Sequence, residues 1–297
     1  MIDNSPQLTV RKLEIDIETG FDRHWHGGDA FLSQYYNALS MSFPVGEQSF
    51  IDAVRDCAKQ LPDTTEYAAL RATVAQFIGQ EATHRRIHTL YNGHLEKQGL
   101  VNRWEHWGTK RLDFARQQNI KPIHMLAVTA AFEHCTAVFA DGTLRYDSWF
   151  AGADEKMATL WRWHAAEETE HKAVAFDVYQ AIGGNYVWRI RWYLYVLALF
   201  TYDTARQTTL NLWHDGSLFK PSTWWSAAKF LIGKNGFVWR CTMPLLAYFK
   251  RDFHPKHDPF GDNQQLAAKW LETHANNWRA VRRIQLRFKI TMLLIAP

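Results

Sequence analysis

The amino-acid sequence predicts an all-α protein: a four-helix bundle with additional helices at its C-terminal end. Three observations predict it. Apolar residues recur at helical period from about residue 29 onward. The pattern Glu-x-x-His occurs twice, as Glu81-Ala-Thr-His84 and Glu168-Thr-Glu-His171, each inside such a stretch. Two further stretches carry a glutamate, Glu47 and Glu133, in the middle of an otherwise apolar stripe.

Taken in order, Val10 to Ile17 alternate, with Arg11, Leu13, Ile15 and Ile17 on one side, and read as a short strand or extended arm. Gly20 to Asp29 hold three glycines with His24 and His26 and read as a loop. Helices are expected near 29–60, broken or kinked at Pro44, then 63–97, 103–118, 121–141 and 154–182. Asp63-Thr-Thr-Glu66 resembles a capping box before the second helix. Lys121-Pro122 sets proline at a helix start, and Gly183-Gly184 ends the 154–182 helix. Further helices are expected near 186–212, 221–233, 236–250 and 261–292, with His254 and His257 in a structural loop before the last. The chain thus divides into an N-terminal arm (1–28), a bundle (29–184) and a C-terminal helical lobe packed on it (185–297).

Composition narrows the function. Of 297 residues, 47% are apolar, enough for a sizeable core. A net charge of +4, spread over many residues, gives no basic patch for nucleic acid. Cys57, Cys135 and Cys241 form no CxxC pair, and an odd count suits a reducing compartment. The N-terminus lacks a basic start followed by an apolar core, and no uninterrupted apolar run reaches the roughly 18 residues that span a bilayer. A cytoplasmic location is expected, with membrane association left open.

The candidate site follows from listing each helix's inward face. Phe43, Glu47, Phe50, Ile51 and Val54 share one side of the first helix; Val74, Phe77, Glu81, His84 and His88 share one side of the second. Leu126, Thr129, Ala130, Glu133, Ala137 and Ala140 line the 121–141 helix, and Leu160, Trp161, His164, Glu168 and His171 line the 154–182 helix. A glutamate and a histidine three apart lie on one face of a helix. Buried carboxylates are expensive, so they neutralise, pair or bind metal, and four on four core stripes point to divalent cations. The metal ligands are expected to be Glu47, Glu81, His84, Glu133, Glu168 and His171, with His164 favoured as a seventh. His88 is either a ligand or a lining residue. Glu167 and Glu170 are fallbacks for Glu168, and His134 points elsewhere.

Carboxylates and imidazoles suit Fe(II) or Mn(II) better than zinc, and four negative charges balance two divalent ions. Such a centre can reduce O2 while oxidising a substrate, or hold a bridging hydroxide that hydrolyses an ester. Glu47, Glu81-x-x-His84, Glu133 and Glu168-x-x-His171 together resemble the ferritin-like di-iron carboxylate superfamily over residues 29–182. More closely, Phe43-Pro-Val-Gly-Glu47, Phe77-Ile-Gly-Gln-Glu81-Ala-Thr-His84 and the segment from Trp163 to Asp177 resemble a bacterial family of predicted metal-dependent hydrolases. His164-x-x-x-Glu168-x-x-His171 is also similar to the di-iron N-oxygenases, in which the extra histidine is a ligand; arylamine is not carried over as a substrate. The resemblance implies a ferritin-like bundle holding two Fe ions, with Mn or mixed Fe/Mn as variants.

The leading expectation is a di-iron oxidase or oxygenase acting on a small or lipid-like apolar substrate, with O2 and an electron donor as partners. The alternative is a dinuclear metal-dependent hydrolase. The aromatic segment Tyr186–Trp213, with Trp224, Trp225, Trp239 and interleaved cations, is expected to pack on the bundle, form a homodimer interface or touch a membrane surface, Arg189, Arg191 and Lys220 then meeting head groups.

Overall fold

The protein is all-α, and its computed structural model describes residues 8–257 and 261–281. Strand β1 (Arg11–Leu13) precedes the long helices α1 (Ala30–Ala58) and α2 (Ala68–Lys97), then α3 (Arg103–Gln117) and α4 (Pro122–Arg145). Helices α5 (Glu155–His171), α6 (Val174–Ala181) and α7 (Tyr186–His214) follow, then α8 (Pro221–Ile232), α9 (Phe237–Ala247), α10 (Asn263–Thr273) and strand β2 (Trp278–Ala280). Helix α1 packs along α2 and α4, α4 packs along α5, and α7 lies across α1 and α4. These four helices α1, α2, α4 and α5 enclose the candidate site.

Helix α1 begins where Asp29 accepts a hydrogen bond from the Leu32 amide (2.9 Å). Of the break or kink expected at Pro44, the break does not occur: the helix runs continuously through it. Proline removes the amide that would bond to the carbonyl of Ser40 one turn back. Asn92 of α2 fills the gap by donating from Nδ2 to that carbonyl (3.0 Å), while Ser40 Oγ donates to Asn92 Oδ1 (2.8 Å). A tertiary contact thus replaces the lost helical bond.

Three other expectations are corrected. Helix α2 starts at Ala68 after a 3-10 turn, not at Asp63, and Thr64 makes no capping bond. Asp63 instead accepts from Arg71 Nη2 (3.1 Å), so the acid of the expected box is drawn away. The 154–182 stretch is two helices, because the chain turns at Lys172, whose buried ammonium reaches Asn263 Oδ1 (2.9 Å). The last helix ends at Thr273, and Trp278–Ala280 is extended, because it pairs antiparallel with β1 in the register Arg11↔Ala280. Residues 282–292 of that expected helix lie outside the described residues.

Pro122 does open α4, and α6 closes as expected, with Gly183 at φ 84° and the Gly184 amide bonded to the Tyr179 carbonyl (2.8 Å). By length and composition α4 could cross a membrane, but most of it is buried among α1, α5, α6, α7 and α9, as suits a core helix. Arg189 is also buried: its guanidinium donates to the carbonyls of Tyr248 (3.2 Å) and Lys250 (2.5 Å) and lies over aromatic rings. It therefore cannot meet a lipid head group, unlike the exposed Arg191 and Lys220.

A buried carboxylate and imidazole cluster

Each helix delivers its share of the cluster from its inner face. Glu47 comes from α1, Glu81 and His84 from α2, Glu133 from α4, and His164, Glu168 and His171 from α5; all seven are buried. Glu168 Oε1 is the hub. It lies 2.9 Å from His164 Nε2, 3.5 Å from His84 Nδ1 and 3.7 Å from His171 Nε2. His171 Nε2 is 3.3 Å from Glu81 Oε1, and its Nδ1 is 3.0 Å from Glu133 Oε2. Ligating atoms of Glu81, His84, Glu168 and His171 fit within 4.8 Å of one another, as do those of Glu47, His88 and His164. The structure therefore brings together every residue singled out for this site in the sequence.

Side chains behind the cluster fix which nitrogen of each ring faces inward. His84 Nε2 donates to Glu167 Oε2 (2.9 Å), leaving Nδ1 toward Glu168. Glu167 in turn accepts from Arg11 Nη1 (3.2 Å), and Arg11 also binds Glu170 through both terminal nitrogens (2.7 and 2.9 Å). His164 Nδ1 donates to His88 Nε2 (2.7 Å), and His88 Nδ1 donates to Ser40 Oγ (2.9 Å), which passes the direction on to Asn92. The chain of donors leaves His164 Nε2 with its lone pair facing Glu168. Holding a ring by its other nitrogen is how proteins aim imidazole at a metal. His88, with both nitrogens used, supports His164.

The interior atoms lack protein partners. Both oxygens of Glu47 and of Glu81, one each of Glu133 and Glu168, His84 Nδ1 and His171 Nε2 are buried without a hydrogen bond. Buried polar groups are almost always satisfied, and such a concentration of exceptions marks a place shaped for something else. The atoms are carboxylate oxygens and imidazole nitrogens, the donors that suit Fe, Mn and related ions. The cluster fits a dinuclear metal centre.

Protonation tells the same story. Burial raises Glu47 and Glu81 well above the usual carboxylate range, and it raises Glu133 to about 7. Burial pulls the His84 imidazolium down, but the hydrogen bond to Glu167 and the charges of Glu167 and Glu168 outweigh it and lift the ring to about 10. Burial opposes the Glu168 charge as well, yet the neighbouring His171 and His84 hold that carboxyl well below its ordinary value. Protons thus stand in for missing positive charge near neutral pH, and a metal must displace them. Affinity for Mn(II) or Fe(II) is expected to rise from about pH 6 to about pH 8, as Glu133 loses its proton and His84 is more easily discharged. Calorimetric titration in buffers of different ionisation enthalpy would show proton release on loading; a pH-independent affinity with no proton release contradicts this account.

Two positions were not foreseen as parts of the site. Glu167, in sequence a fallback for Glu168, holds His84 from behind. Arg11 went unassigned, although a signal was present: it is the one charged residue on the otherwise apolar side of the alternating arm. His134 does point away from the cluster, being buried with Nε2 against the Pro244 carbonyl (3.2 Å). His24 pairs with Asp215 (2.8 Å), and His254 pairs with Asp177 (2.8 Å), both away from the cluster.

Fold and site together define an all-α protein with a buried acidic and imidazole cluster able to hold a dinuclear metal centre. The model of a family described as predicted metal-dependent hydrolase matches residues 9–258, and the chain belongs to that family. No curated protein and no solved structure matches it.

Proposed function

We propose that the chain is a dinuclear metal-dependent hydrolase that cleaves an ester or related bond in an apolar molecule. The unpartnered cluster beside an apolar cavity carries this reading. Glu168 and His164 line a small cavity with Phe43, Thr136 and Phe200. Those last three residues also line a second cavity of about 450 Å³ between α1, α3, α4 and α7, walled mainly by apolar side chains such as Phe50, Val128 and Phe132. That volume lies within the usual range for small-molecule sites. Its lining suits a hydrocarbon portion, with Lys110 and the Arg111–Asp203 pair supplying polar groups to the cavity.

Glu47, Glu81, His84, Glu133, Glu168 and His171 would hold the metals, with His164 as a further ligand. Such a pair of divalent ions supplies Lewis-acid charge and lowers the pKa of water. Glu167 and Arg11 keep His84 turned inward, and His88 and Ser40 do the same for His164. The aromatic wall of Phe43 and Trp161 against His164 and His88 keeps bulk water out. One observation favours a second reading. A Glu from each of two helices and a Glu-x-x-His from each of two others is the donor arrangement of ferritin-like di-iron and di-manganese proteins, which would make the chain an oxidase of the same apolar substrate.

Metal-loaded protein is expected to hydrolyse p-nitrophenyl octanoate under argon without reductant, and to lose that activity on Glu168→Ala. Absence of ester cleavage, with O2 uptake by the reduced iron form, would replace hydrolysis by oxidation. The metal is expected to be Fe or Mn, read by elemental analysis after expression with each.

A further inference from the structure

Between Asp215 and Asp252 the chain contains no acidic residue, yet it contains Lys220, Lys229, Lys234, Arg240, Lys250 and Arg251. This stretch forms the paired helices α8 and α9. Their inner faces, Thr223, Ala227 and Phe230 on α8 and Cys241 and Pro244 on α9, are buried against the protein. Their outer faces are apolar in an unusual degree: Trp225 is 70% exposed, Trp239 65% and Met243 71%, and Phe219 just before α8 is 82% exposed. Ile232, Trp224 and Leu246 are exposed beside them. All six cations are exposed, and none makes an ion pair among the described residues.

We infer that α8 and α9 form a docking surface for an anionic lipid bilayer. Large aromatic side chains flanked by lysine and arginine are what an interfacial helix presents to head groups and acyl chains. An exposed apolar patch of this kind marks a contact surface. Two details select lipid. The indole N–H of Trp224 is bonded to the Leu218 carbonyl (2.8 Å), and that of Trp239 to the Ile232 carbonyl (2.9 Å). Both rings therefore carry their polar atom already satisfied, as an acyl environment requires. A second copy is disfavoured by charge, because a two-fold interface would set the cations against their own duplicates with no acid to offset them. The inference is independent of the metal cluster, since no residue of α8 or α9 belongs to it.

The test is co-sedimentation of the full metal-loaded chain with phosphatidylcholine vesicles, with and without phosphatidylglycerol. Binding is expected only to the vesicles containing phosphatidylglycerol, with a blue shift in tryptophan emission. The double variant Trp225→Ser/Trp239→Ser and the double variant Lys229→Glu/Lys234→Glu are each expected to weaken it roughly tenfold or more, with helical circular dichroism and melting temperature unchanged. All four positions are exposed, so folding is expected to be preserved, and circular dichroism reports it. Failure to bind phosphatidylglycerol vesicles, or binding equally strong without that lipid, overturns the inference. So does a stable dimer in solution that Trp225→Ser/Trp239→Ser dissolves.

Discussion

Glu168→Ala is expected to empty the metal centre while leaving the helices intact. Glu168 Oε1 is the oxygen that three imidazoles approach, so its loss removes a shared donor. A wild-type chain expressed with iron or manganese should carry about two ions, as this donor arrangement does elsewhere. The variant should carry less than one, with helical circular dichroism unchanged. Glu47→Leu should show the other side of the same physics. Both Glu47 oxygens are buried without a partner, so in metal-free protein this carboxyl is a cost. Replacing it by a hydrocarbon should stabilise the metal-free chain by about 1–3 kcal/mol and abolish metal binding. A structural acid would behave oppositely, destabilising the fold when removed. Full metal content in both variants, or a lower melting temperature for metal-free Glu47→Leu, would refute the metal assignment.

Arg11→Ala should be among the most damaging single changes away from the cluster itself. Arg11 shares with His84 the neutralisation of buried Glu167, and Trp278 of β2 stacks on its guanidinium at 4.9 Å. Removing one partner of a buried charge network costs up to about 3–5 kcal/mol, and here Glu167 would keep only His84. For a chain of this size that is on the order of 10 °C in melting temperature. Glu167 also aims His84, so metal affinity should fall about 10–100-fold. Glu170→Gln should be milder, because Glu170 is partly exposed and Gln80 also binds it (2.9 Å). Calorimetry and metal titration of the two variants check both statements; an unshifted melting temperature for Arg11→Ala would mean that the arm does not hold the site.

The helices and the inward residues were legible because both signals are periodic and local. Glu81 with His84, and Glu168 with His171, announce a shared face at a spacing of three, and Glu133 stands out among alanines. The choice of Glu168 over Glu167 rested on that repeated spacing, and the two side chains do point to different sides. What was not legible depended on contacts distant in sequence. Pro44 reads as a break or kink, and only Asn92 beside Ser40 explains why the helix continues. The helix expected to continue past Thr273 gives way to β2, because the partner strand lies at the other end of the chain. Lys172 interrupts a stretch whose periodicity looks continuous, since two turning residues barely disturb a helical pattern.

The all-α class, the inward-facing glutamates and histidines, the cationic aromatic character of the C-terminal helices and the family to which the motifs belong are all written in the order of residues. Which nitrogen of His84 and His164 faces the cluster, that Arg11 and Glu167 stand behind His84, and that His88 supports His164 emerge only from the folded arrangement. The difference is one of range. Helical periodicity is written in neighbours three and four residues apart, whereas ring orientation and charge compensation are set by partners that only folding brings within hydrogen-bond distance.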